Sequence, residues 1–231
     1  MKTIGLIGGM SWESSLEYYR IINECTKATL GGLNSAKCIL YSVNFAEIEA
    51  LQDQGRWAEA ATVLCNAAKN LEQAGADFIV LCTNTMHKVA DAIASQIKIP
   101  LLHIADATAA RVQANQIKNI GLLGTRFTME QEFYRGRLTN SHGLNVLIPT
   151  ESERQIIHTV IYEELCCGLL NPESKKQYIE IINRLVDSGA EGIILGCTEI
   201  EALVQPADCS VVTFPTARIH AEAAVDLALS T

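Results

Sequence analysis

Short apolar runs alternate along this chain with longer amphipathic stretches. Strands fit near 3–7, 37–43, 77–82 and 99–103, with helices near 12–28, 56–74, 84–96 and 105–114. A second series follows, with strands near 118–123, 144–148, 191–195 and 210–214. Its helices fit near 128–139, 152–166, 172–188 and 217–229. Short, continuously apolar strands set between helices predict parallel sheets covered on both faces. Right-handed crossovers join such strands.

The pattern is written twice. Lys2-Thr3-Ile4-Gly5-Leu6-Ile7-Gly8-Gly9 returns as Lys118-Asn119-Ile120-Gly121-Leu122-Leu123-Gly124-Thr125, an offset of 116 residues. Tyr18-Tyr19-Arg20 is echoed by Phe133-Tyr134-Arg135 at an offset of 115, and Gly75–Thr83 by Gly189–Cys197 at 114. Ordered matches at nearly one spacing predict two α/β lobes, each doubly wound around a four-stranded parallel sheet. The expected cut gives lobes 1–115 and 116–231, with the last helix a candidate to cross back to the first. Pseudosymmetry between the lobes predicts an active-site cleft between them, lined by loops at the carboxyl ends of the strands.

Composition narrows the function. Of 231 residues 48% are apolar and 19% charged, which describes an ordinary folded protein. A net charge of −8 leaves no basic face for nucleic acid. No stretch of about 20 apolar residues is present, so no membrane span is expected. The eight cysteines have no zinc-ligand spacing and sit in a long, regular chain, so neither a metal site nor a disulfide scaffold is expected. The opening apolar run is brief and ends in Gly8-Gly9, unlike a signal peptide. Reduced thiols and a cytoplasmic location are therefore expected, with most thiols buried as small hydrophobes.

Candidate chemistry collects at the strand ends. Gly8-Gly9-Met10-Ser11 and Gly124-Thr125-Arg126 end the first strand of each copy, where glycine lets backbone approach a small anion. The dinucleotide fingerprint is incomplete, and the second strand ends in Asn44 with no acid for a ribose. The third strands place Thr83 and Cys197 at equivalent positions. Facing lobes would aim both side chains at one ligand from opposite sides. Inverting a carbon centre needs a base on one face and an acid on the other. A thiol suits both tasks, and a following helix N-terminus favours its thiolate. Asn84, Thr85 and Thr198 come next in sequence and could hold a carboxylate. His87 and Glu199 begin the following helices and are candidates to assist proton transfer. His103, His142, His158 and His220 have no spaced partners.

Gly8-Gly9-Met10, Thr83-Asn84-Thr85-Met86-His87 and Gly196-Cys197-Thr198-Glu199 resemble the signatures of the aspartate/glutamate racemase family, along the whole chain. The likeness extends to its L-aspartate/glutamate-specific branch, which also has threonine at the first catalytic position. The resemblance implies proton exchange at Cα without pyridoxal phosphate or any other cofactor. It implies catalytic roles for Thr83 and Cys197, with Cys197 serving the L-enantiomer, and a homodimer. Substrate contacts are expected at Met10, Gln52, Thr83, Asn84, Thr85, Thr125, Gly168 and Thr198. Gln52 is expected in a loop. Most relatives have cysteine at both catalytic places. Cys82 lies one residue early and faces the opposite side of its strand. An enzyme favouring the L-substrate follows as the expectation. Neither Gln52 nor Gly168 supplies a charge for the distal carboxylate, which leaves Arg56 and Arg126 as candidates. Two other readings stay open: a single-thiol decarboxylase or isomerase of the same superfamily, and a non-catalytic binding protein for acidic amino acids.

Overall fold

The computed structural model describes residues 1–230. Each half of the chain builds a four-stranded, all-parallel sheet. In the first, β1 (Ile4–Gly8), β2 (Cys38–Ser42), β3 (Phe78–Leu81) and β4 (Leu101–Leu102) lie in the order β2-β1-β3-β4. In the second, β5 (Asn119–Gly124), β6 (Asn145–Leu147), β7 (Gly192–Gly196) and β8 (Val212–Pro215) repeat it as β6-β5-β7-β8. The central strands β1, β3 and β7 are buried throughout and β5 is buried beyond Asn119, as apolar runs covered on both faces must be.

Helices α1 (Trp12–Leu30), α2 (Phe45–Asp53), α3 (Trp57–Gln73), α4 (Ala90–Ala94) and α5 (Ile104–Ala114) belong to the first series. The second contains α6 (Arg126–Glu130), α7 (Glu151–Glu163), α8 (Pro172–Asp187), α9 (Ile200–Leu203) and α10 (Thr216–Leu229). Three expectations need correction. α2 was missed, although Asn44 caps it by accepting the Ala46 N–H at 3.3 Å. The helix expected over 84–96 is a 3₁₀ turn, Thr85–Val89, followed by α4. The helix expected over 128–139 is interrupted: Gln131 turns to extended backbone, and a π-helical turn, Arg137–Ser141, follows.

The chain divides into two compact units. One comprises residues 1–104 and the segment from His220 onward; the other comprises 105–219. This division differs from a cut at 115/116, because α5 after Ile104 packs with the second unit. Within the first unit, Ile7, Ile79 and Leu81 pack against Ala60, Leu64 and Ala67 of α3. The Lys2 N–H donates to the Ala228 carbonyl (2.8 Å), tying α10 to the start of β1. Tyr18 of α1 donates its hydroxyl hydrogen to His220 Nδ1 (2.8 Å), and His220 Nε2–H donates to the Leu102 carbonyl (2.9 Å). Both acceptors are met by a neutral ring, and neither Tyr18 nor His220 is exposed.

Two outcomes follow. Gly9 has φ +88°, and a Cβ there would stand 2.1 Å from the Val43 carbonyl oxygen. Gly9→Ala should cost about 1–3 kcal/mol, read from the urea midpoint. Burial pushes the His220 imidazole down to about 4, against the opposing bond to Leu102. The unfolded histidine titrates near 6.5, so between about 6.5 and about 4 the unfolded chain binds the extra proton. Stability is therefore lost as pH falls through that window, by on the order of 3 kcal/mol from this group. His220→Gln should flatten that dependence in melts taken across the same range.

Candidate active site

In an order 2-1-3-4, the connections from the two central strands diverge, leaving an opening at their carboxyl ends. In the first unit Ile7 is paired with Leu81, so Gly8-Gly9-Met10 and Cys82-Thr83-Asn84 leave the sheet side by side. Ser14 near the start of α1 donates to the Cys82 carbonyl (3.2 Å), and Gly9 N–H donates to Ser15 Oγ (2.7 Å). Cys82 N–H still completes the ladder to Ile7 (2.9 Å), after which Thr83 N–H bonds back to Leu81 (2.8 Å) and turns the chain out of the strand.

That turn separates the two neighbours. Cys82 is fully buried, and the lack of water around it raises its thiol far above the ordinary range. Thr83 remains half-buried, while Asn84 and Thr85 are buried. Met10 sits in the apolar cluster with Ile48, Leu81 and Met86. Gln52 lies in α2 rather than in a loop, buried, with its amide donating to Met86 Sδ at 2.9 Å. The first unit thus brings Met10, Gln52 and the Thr83–Thr85 stretch to one end of its sheet.

His87 fastens this end. Its Nδ1 lies 2.7 Å from the Thr83 carbonyl, and the Ile104 N–H donates to its Nε2 at 3.2 Å. A carbonyl only accepts and an amide N–H only donates, so the ring is the neutral Nδ1–H tautomer. His103 and His220 stand edge-on to it, with centroids at 4.5 and 5.7 Å. Sequence spacing left these histidines without partners; the fold groups them. Among the described residues no three His, Cys, Asp or Glu side chains converge to hold a metal ion.

In the second unit Gly124 is paired with Gly196, so Thr125 and Cys197 leave adjacent strands together. A Cβ on Gly196 would stand 2.7 Å from the Leu123 carbonyl, so glycine permits this close pairing. Thr125 caps α6, its hydroxyl accepting the Thr128 N–H at 3.4 Å. Cys197 is half-buried, with Sγ 3.0 Å from Glu199 Oε2. Burial is the largest cause of a thiol pKa raised well above the usual value, with the Glu199 carboxylate and Cys166 adding to it. A backbone hydrogen bond from Glu199 pulls the other way. Desolvation beside an anion opposes the thiolate stabilisation expected from a following helix N-terminus, and α9 has only four residues. The resting group is a thiol that donates to Glu199.

Cys166 belongs to the 3₁₀ turn Leu165–Cys167, which ends at Gly168 in the left-handed region with φ +74°. Its electrostatic influence on Cys197 brings this turn to the same end of the second sheet. Thr198 follows Cys197 and is half-buried. Arg56 is exposed and paired with Glu59 at 2.6 Å, and Arg126 is exposed. All eight cysteines are free, but only Cys82 is fully buried, which corrects the expectation that most are core residues.

The sequence profile of the Asp/Glu/Hydantoin racemase family matches residues 7–224. A candidate Asp/Glu racemase from Yersinia pestis is 57% identical, with both chains covered completely and a TM-score of 0.94. An aspartate racemase homologue from Pyrococcus horikoshii OT3 is 35% identical, again with complete coverage, at a TM-score of 0.86. The broad specificity amino-acid racemase RacX of Bacillus subtilis (strain 168) is 22% identical over 210 residues, 87% of each protein.

Glu199 supplies the test of the thiol's environment. Glu199→Gln removes an anion that raises the Cys197 pKa, so the thiol pKa should fall. Iodoacetamide labelling of Cys197 at about pH 8, followed by peptide mass analysis, should then quicken by roughly threefold per pKa unit, since the gain in thiolate is partly offset by its weaker nucleophilicity.

Proposed function

The chain belongs to the Asp/Glu/Hydantoin racemase family and is an amino-acid racemase, and from that premise we propose that it exchanges the α-proton of aspartate or glutamate without a cofactor. Cys197 removes the proton of the L-enantiomer, and Thr83 serves the opposite face. The reading rests on one contact, the 3.0 Å approach of Cys197 Sγ to Glu199.

A thiol with a raised pKa is a poor base until its own proton has somewhere to go. Glu199 accepts it, which leaves the pair's net charge unchanged and avoids creating a new buried charge. The thiolate then takes the α-proton, and the electron pair of the broken C–H bond remains on the substrate as an enolate-like carbanion. Thr125, Thr198, Asn84 and Thr85 offer hydroxyl, amide and backbone donors to the α-carboxylate, where that charge collects. Met10, Gln52 and Gly168 complete the proposed substrate contacts.

On the other face Thr83, with a water, delivers a proton to Cα. The hydroxide left behind is neutralised by the proton Glu199 holds, through solvent, and the cycle closes. A hydroxyl is far weaker than a thiol as a base at neutral pH. The hydrogen bonds at Thr83 engage its backbone, to Leu81 and His87, whereas Cys197 has a carboxylate at its sulfur. Exchange of the α-proton is accordingly faster from the L-substrate, while the two overall directions of racemisation share one kcat/KM because enantiomers are equal in free energy. The free thiols fit the cytoplasm, and the family resemblance supports a homodimer.

Proton NMR in deuterated buffer tests the scheme. Wild type should exchange the α-proton of L-aspartate or L-glutamate at least ~10-fold faster than that of the D-form, and Cys197→Ser should lower L-exchange by ~100-fold or more. Equal rates from both enantiomers would remove the asymmetry. Undiminished exchange in Cys197→Ser would remove the mechanism.

A further inference from the structure

The geometry points to His87 as the positioning residue for Thr83, acting through the main chain and not as an acid or base. This inference rests on the proposed role of Thr83. Three observations carry it. His87 is buried at 2% exposure. Its two ring nitrogens are both engaged: Nδ1–H on the Thr83 carbonyl and Nε2 on the Ile104 N–H. Its ring is packed edge-on against His103 and His220, and His220 is itself held by Tyr18 and the Leu102 carbonyl.

A ring so occupied cannot carry a proton to or from substrate without giving up one bond, and in a buried site a lost bond leaves a polar group unpaired. What it can do is fix a peptide plane. Thr83 stands where the strand has just ended, with its N–H turned back to Leu81. Holding its carbonyl from four residues ahead leaves the backbone of Thr83 little freedom. The side chain therefore projects from a defined frame although the residue follows a four-residue strand. The Ile104 bond also satisfies the first amide of α5, one of the donors a helix leaves open at its start. One imidazole thus joins the end of β3 to the segment just beyond β4, across the edge of the sheet.

Positioning and general damage predict different kinetics. If Thr83 is displaced, Cys197 still removes the α-proton of an L-substrate, but the carbanion is reprotonated from the side it left. Deuterium then enters recovered L-aspartate while little D-aspartate forms. The measured quantity is the ratio of inversion to exchange with retention, from L-aspartate in deuterated buffer, by NMR and chiral chromatography.

His87→Leu, which removes both bonds, and His87→Gln, whose longer amide reaches the Nε2 position, should lower that ratio by ~10- to 100-fold, the loss expected from a misplaced catalytic group. Exchange itself should stay near wild type. His87→Asn places an amide N–H where Nδ1–H stood and should hold the ratio within ~3-fold of wild type. Thr83→Ala run alongside separates the two layers. If Thr83→Ala leaves the ratio unchanged, Thr83 is not the second group and the role of His87 falls with it. If Thr83→Ala lowers the ratio but His87→Leu does not, Thr83 stands and the positioning role alone is overturned. A His87→Asn enzyme that behaves like His87→Leu would overturn it as well.

Discussion

A parallel sheet sends every strand out at the same edge, and in the order 2-1-3-4 the two central strands part company there. That constraint governs each unit separately. In the first it releases Gly9 and Thr83 beside one another, and in the second Thr125 and Cys197. Glycine makes the closeness possible, since Gly9 and Gly196 sit where a side chain would meet backbone oxygen. Thr83 and Cys197 are then only two and one positions beyond buried strands. Their placement inherits the rigidity of the sheet without being buried within it.

The two strand ends are built alike but are chemically unequal. Cys197 has a carboxylate at its sulfur and a raised pKa, so its proton is held until a partner takes it. Thr83 has its main chain secured by His87, and Cys82 beside it is sealed in the core, where a thiolate has no solvation. An internal duplication supplies one scaffold twice. At equivalent places the two copies hold a hydroxyl, on Thr83, and a thiol, on Cys197.

Buried polarity carries much of the arrangement. Tyr18, His87, His103 and His220 lie within the first unit, where an unpaired donor or acceptor would be costly. Tyr18, His87 and His220 are joined to one another or to backbone groups at 2.7–3.2 Å. That economy has a chemical consequence, because a ring committed to two backbone partners loses its freedom to shuttle protons. The same bonds that stabilise His87 in the core are therefore what the proposed positioning role rests on.

How much of this was legible in the chain depends on range. The duplicated strands, their burial and the places of Thr83 and Cys197 follow from patterns within a few residues, since a strand covered on both faces must be apolar along its length. The helix that Asn44 begins was also readable, from a capping residue followed by Ile48, Leu51 and Gln52 at helical spacing, although the apolar runs on either side drew attention away from it. Other features had no local trace. Tyr18 and His220 are 202 residues apart, and His87 meets Ile104 only because β3 and β4 pair. The raised pKa of Cys197 runs against what its place before a helix suggested, because a thiol's proton also answers to the depth of protein around it and to the nearest carboxylate. The sequence by itself determined the sheets and the residues at their ends. Burial, long-range pairing and therefore the protonation of those residues were decided by tertiary structure, because solvation depends on neighbours that no local pattern names.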